Sequence, residues 1–202
     1  MSTTEIYGFD EEGYAYFVGE TKNAWFGAMA IWGILEKRYL PPYIPDYVKY
    51  CNWYRADMSY EEIVRRNGFE PSRTFPTLGK DNPTQEIWDL ADNENVSVTD
   101  KIVLFTTFDR CLVKKADIPK VIEAFLSFVG ETSLKEQADI LQQAFDDAHC
   151  IAVGWNQTSV NSKTWGSYGY DEKSDEHVPY NCLTQNEHYW LFDELSTEFE
   201  GR

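Results

Sequence analysis

The stretch from Lys101 to Thr158 constrains the fold more than any other feature of the chain, because two helices with start and stop signals lie between two apolar runs. It reads as a strand (KIVLFTTFDRCLVKK), a helix (ADIPKVIEAFLSFVG), a second helix (SLKEQADILQQAFDDA) and a second strand (CIAVGWNQTS). Asp117 stands at the N-cap of the first helix, with Pro119 in its first turn and Gly130 just past its end. Proline costs nothing where the N–H is unpaired anyway, and glycine takes the left-handed turn that ends a helix. Val121, Ile122, Phe125, Leu126 and Val129 supply its buried stripe. Ser133 and Glu136 have the spacing of a capping box for the second helix, whose Leu134, Ala138, Leu141, Phe145 and Ala148 keep one face apolar.

The N-terminal part adds a hairpin and a buried helix. Ile6 to Phe9 and Tyr14 to Val18 flank a short acidic loop ending in Gly13, which suits two antiparallel strands. Asn23 is placed to cap a helix from Ala24 to about Tyr39 that is apolar on most sides, with Gly27 and Gly33 permitting close packing. Pro41, Pro42 and Pro45 end it. An aromatic cluster from Tyr43 to Arg55 reads as a packed crossover, and Ser59 caps a short helix that stops at Gly68. A loop from Phe69 to Pro83 leads to a brief helix carrying Ile87, Trp88 and Leu90 inward, and Asp92 to Thr99 reads as a polar connector. Leu183 to Leu195 closes the chain as a strand or a short helix.

These elements predict an α/β (α+β) fold, with a mixed or antiparallel sheet packed against several helices. One compact domain spans 1–202, with the hairpin, buried helix and aromatic region in 1–99 and the strand–helix–helix–strand core in 100–202. A chain of this length buries a core without metals or disulfides as staples.

Charge narrows the function. The net charge is −16, and residues 135–202 carry thirteen acids against four bases. Direct nucleic-acid binding is disfavoured, since it needs clustered Lys and Arg. No run is long enough to cross a bilayer, and no apolar leader follows Met1, so a cytoplasmic, reduced setting is expected. Neither GxGxxG nor GxxxxGKS occurs.

Reactive side chains give little. His177, Cys182 and His188 match no paired zinc spacing, and no metal or cofactor is expected. Cys182 with His188, or Cys150 with His177, could form a nucleophile–base pair, but no third orienting group is evident.

The segment Trp155 to Tyr180 stands apart, because aromatics alternate there with small polar residues in what reads as a long loop or irregular hairpin. Such mixtures serve recognition surfaces. Trp155, Asn156, Gln157, Trp165, Tyr168 and Tyr170 are the candidate contacts, and Asp171, Glu172, Asp175 and Glu176 the candidate steering charges. The expectation is a non-enzymatic binding protein of the inhibitor, immunity or anti-defence kind, such as bacteria and phages carry as accessory proteins. Its partner would be a basic protein surface, of which a nucleic-acid-binding protein is one example. Two alternatives stand beside it. One is a small enzyme or ligand binder with a pocket near 155–182, where Asn156, Gln157, Thr158 and His177 converge. The other is a structural subunit of a homo-oligomer.

Overall fold

The computed structural model describes residues 3–23, 27–40, 59, 62, 65, 83–108, 110–157, 165, 169–171, 173–178 and 180–200. For 83–84, 169–171, 176–178 and 196–200 only the backbone enters the account. The aromatic cluster from Tyr43 to Arg55 and most of the loop after it lie outside the described residues. Of the short helix after Ser59, the described part agrees with expectation: the Glu62 N–H donates to Ser59 Oγ at 3.3 Å.

The hairpin forms as β1 (Thr3–Phe9) and β2 (Ala15–Lys22). Its loop turns at Gly13, whose φ of +80° favours glycine. Helix α1 (Ala28–Tyr39) is followed by α2 (Pro83–Trp88), α3 (Val98–Phe105) and β3 (Cys111–Lys114). A 3₁₀ turn leads into α4 (Ile118–Ser127), then α5 (Leu134–Asp146) and β4 (Ala152–Gln157). The chain ends with β5 (Gly169–Asp171), β6 (Glu176–Val178), α6 (Cys182–Gln185), β7 (Tyr189–Trp190) and α7 (Leu191–Glu200).

Five strands form one mixed, open sheet in the order β2-β1-β4-β3-β7, while β5 and β6 pair separately. All pairs in the large sheet are antiparallel except β3 with β7. The expected α/β architecture with an N-terminal hairpin is therefore the observed one. None of the described helices is long and apolar enough to cross a membrane.

Side chains alternate across a strand, so the sheet has two unlike faces. On the first, Ile6, Val113, Val153 and Trp155 meet Ile31 and Leu35 of α1, Leu104 of α3, Val121 and Phe125 of α4, and Leu141 of α5. On the second, Phe9, Leu112 and Ala152 are covered by Trp165 and Cys182. Among the described residues, α1, α2, α3, α4, α5 and α7 all contribute to the core on the first face, whereas Trp165 and α6 cover part of the second.

Several local expectations are corrected. Lys101 to Lys115 is not one strand. Ser97 Oγ accepts from the Asp100 N–H at 3.1 Å and starts α3, so the supposed polar connector already holds a helix cap. A continuous apolar run cannot by itself separate a buried helix from a strand, and here the cap decided. Thr106 and Thr107 turn their hydroxyls back onto Val103 O and Leu104 O as that helix ends, and Arg110 (φ 70°) makes the turn into β3.

Asn23 does not cap α1, which begins later, with Gly27 at its N-cap and no side-chain cap bond. Gly33 faces open space and permits no close contact, and Met29 is 74% exposed. Trp88 is 44% exposed, held edge-on to Phe108, whereas Ile87 and Leu90 are buried as expected. Asp117 makes no cap bond and pairs with Lys120 at 2.7 Å instead. No capping box forms at Ser133, whose hydroxyl accepts from Gln137 Nε2 at 3.0 Å because Gln137 is drawn inward by Trp155. Leu126, Val129 and Ala148 are exposed rather than buried.

Candidate functional site

Strand β4 ends in Trp155, Asn156 and Gln157, the start of the segment picked out for recognition, and alternation sends these neighbours to opposite faces. Trp155 points into the helix-covered core at 1% exposure, edge-on to Phe125 and donating from Nε1 to Gln137 Oε1 at 3.1 Å. Gln157 follows it on the same face, where Thr4 and Asn23 gather around its Oε1. The Thr4 hydroxyl also lies 2.5 Å from Asn23 Oδ1, and Thr4 and Gln157 are both buried. Asn23 thus serves as a side-chain strut from the end of β2 to β1 and β4, which explains why it is missing from the helix cap. Thr21, opposite Thr4, keeps a buried hydroxyl without a hydrogen-bond partner.

Asn156 faces the other way. Its Nδ2 donates to Glu5 Oε2 at 2.7 Å, and the Tyr7 hydroxyl donates to the same oxygen at 3.1 Å. The carboxylate is held between two donors on the outer face of the sheet. Asn156 and Gln157 therefore point to opposite faces, and Thr158 and the His177 side chain lie outside the described residues.

Trp165 is a plate on the outer face, 5% exposed. Its ring stands at 88° to Phe9 with centroids 5.2 Å apart, and its Nε1 donates to Trp155 O at 2.9 Å. The Cys182 thiol donates to Trp165 O at 3.0 Å, and Asn181 Nδ2 ties the same layer to the hairpin loop through Glu12 O at 2.6 Å. Tyr168 and Glu172 lie outside the described residues. The β5–β6 hairpin carries Tyr170, Asp171 and Glu176 on its backbone, and Asp175 sits exposed in its turn at φ 58°. The described candidates thus do not form one cluster: two tryptophans are core, two amides are struts on opposite faces, and Asp171, Asp175 and Glu176 belong to a separate hairpin.

Beyond Trp165 the outer face changes character. Tyr7 pairs with Phe17 across β1 and β2, their rings at 79° and 6.0 Å apart, and Phe17 remains 54% exposed. Glu5 stands directly opposite Glu20, which is exposed. Phe17 and Glu20 are three apart in sequence, so plain alternation would separate them. The register shifts between Ile6 and Tyr7, leaving Val18 as an extra residue in β2, and this bulge returns both side chains to one face. Nothing in residue spacing announces that.

The described thiols, Cys111, Cys150 and Cys182, are all buried. Cys150 donates to Ala152 O at 3.1 Å within the core. Burial pushes the Cys111 and Cys182 thiols up, which keeps them protonated at neutral pH. His188 Nδ1 lies 3.0 Å from Asn186 O with its ring edge-on to Trp190. Among the described residues no three His, Cys, Asp or Glu side chains converge to hold a metal.

A fourth polar feature joins the hairpin to the end of α5. The Tyr16 hydroxyl donates to Asp147 Oδ2 at 2.8 Å, and the His149 N–H donates to Asp147 Oδ1 at 2.9 Å. The His149 N–H, then the Tyr16 hydroxyl, hold the Asp147 carboxyl below its ordinary range. Burial, then the hydrogen bond to Asp147, raises Tyr16 above the ordinary tyrosine value.

No protein-family model, no curated protein and no solved structure matches the chain.

Proposed function

We propose that this chain is a non-enzymatic binding protein that engages a basic protein partner, in the manner of an inhibitor, immunity or anti-defence protein. It would act in the cytoplasm and contact no nucleic acid directly. The observation that carries this reading is the display of charge: Glu136, Asp139, Asp146, Asp175, Asp193 and Glu194 are all exposed in a region whose sequence holds only four bases. Carboxylates spread over an open surface steer a cationic partner from a distance and accelerate encounter, an effect that weakens as salt rises. Asp171, Glu172, Asp175 and Glu176 are the proposed steering group.

The test is capture of a basic protein from the native cell, followed by association kinetics at two salt concentrations. Replacing the four steering acids by Asn or Gln is expected to slow association roughly tenfold at low salt and flatten its salt dependence. Unchanged kinetics and unchanged salt dependence would remove the electrostatic basis of the reading. Trp165 is unsuitable for such a test, since its replacement disturbs a buried plate and not a contact surface.

A further inference from the structure

Resting on that reading, we infer that the open half of the sheet's outer face, formed by Glu5, Tyr7, Phe17 and Glu20, docks an arginine-bearing segment of the basic partner.

The described covering of this face is uneven. Toward β3 and the hairpin loop it is closed by Trp165, Tyr180, Cys182 and Leu183. Toward the outer end of β1 and β2, Phe17 leaves more than half of its surface to solvent. The exposed Phe17 ring stands beside Tyr7 and two carboxylates, so the side chain of another molecule can reach it.

Charge identifies the occupant. Glu5 and Glu20 face each other directly across β1 and β2. Like charges in that position weaken a strand pair, and the repulsion is relieved when a cation sits between them. Glu5 cannot swing away freely, because Asn156 and Tyr7 both donate to its Oε2. The carboxylate is thus preset, and its Asn156 donor is itself only 4% exposed. Lys22, opposite Thr3, is the next residue along the same face from Glu20, and two carboxylates against this one ammonium leave the local balance negative.

Arginine fits this surface better than lysine. Its planar guanidinium presents several N–H donors to two carboxylates and can lie flat on an aromatic ring, whereas an ammonium is a strongly hydrated point charge. The Phe17 ring supplies the plate, braced edge-on by Tyr7. Apolar partners are disfavoured by the two carboxylates, and phosphate backbones would be repelled by them.

The probes are an arginine-rich peptide and a lysine-rich peptide of equal length, titrated calorimetrically into the full chain. Wild type is expected to prefer the arginine peptide roughly two- to fivefold, the increment of an exposed cation–π contact. Phe17→Ser should abolish that preference while leaving lysine binding in place. Glu20→Gln should weaken both peptides, and Gln143→Ala, an uncharged and exposed position on α5, should change neither. Thermal melting of each variant establishes that it is folded. If Phe17→Ser and Glu20→Gln bind as wild type does while the four-acid variant of the steering group loses binding, this docking face is overturned and the basic-partner reading survives. If neither peptide binds wild type at all, both fall.

Discussion

Trp155 and Asn156 are adjacent on β4, yet each belongs to a different side of the molecule. Trp155 enters a face closed by α1, α3, α4, α5 and α7, where its one polar atom is met by Gln137. Asn156 enters a face that, among the described residues, is covered at one end by Trp165 and not at the other, where it fixes a carboxylate beside an exposed phenylalanine. The helix side has the properties of a core: apolar, hydrogen-bonded where it must be polar, and filled. The outer side tolerates a like-charge pair that a core would not. That difference places the larger share of the buried core on one face.

The largest effect separating the two faces should come from Trp155→Ala. Removing a fully buried indole leaves a cavity and strands Gln137 Oε1, at a cost of about 3–5 kcal/mol. Trp165→Ala should cost less, about 2–3 kcal/mol, since only one irregular layer must collapse onto Phe9. Denaturant midpoints with an unchanged slope check both values. Equal losses would mean that the outer plate is as integral to the core as the helix side.

A middle-sized effect concerns the Tyr16–Asp147 link. The folded Asp147 carboxyl lies below its unfolded value, so its contribution is full above about pH 3.9 and is lost as pH falls through the folded pKa. Tyr16 is raised, so its contribution is full below about pH 10 and fades as pH climbs toward the folded value. Asp147→Asn should therefore flatten the acid limb of a stability–pH curve, and Tyr16→Phe the alkaline limb. A Tyr16→Phe curve superimposable on wild type above pH 10 would show that the hydroxyl is not held as described.

The smallest effect belongs to the open half. Glu20→Gln removes a like-charge opposition and should raise stability by roughly 0.2–1 kcal/mol, read as a slightly higher melting temperature. A clear loss would mean that Glu20 is structurally engaged.

Much of the architecture was legible beforehand. The hairpin, α4, α5 and β4 follow from periodicity, Pro119 and Gly130, because those signals are local. The start of α3 was hidden by an apolar run that suits either conformation, although Ser97 three residues before Asp100 was visible. Asn23 and Ser133 mislead because their side chains are claimed by distant partners, Gln157 and Gln137, which no local rule can see. The candidate contacts were scattered for a related reason: Trp155 and Trp165 look alike in composition to exposed anchors, and burial is a tertiary fact. The surface of Glu5, Tyr7, Phe17 and Glu20 was illegible because a one-residue bulge at Val18 creates it.

The most direct measurement is an amide NMR titration of the intact chain with the arginine-rich peptide. Docking on the outer face predicts that the largest shifts gather at Glu5, Tyr7, Phe17 and Glu20, with smaller diffuse changes over the acidic C-terminal region. Shifts confined to the exposed carboxylates of α5 and the β5–β6 hairpin, with β1 and β2 unmoved, would contradict it.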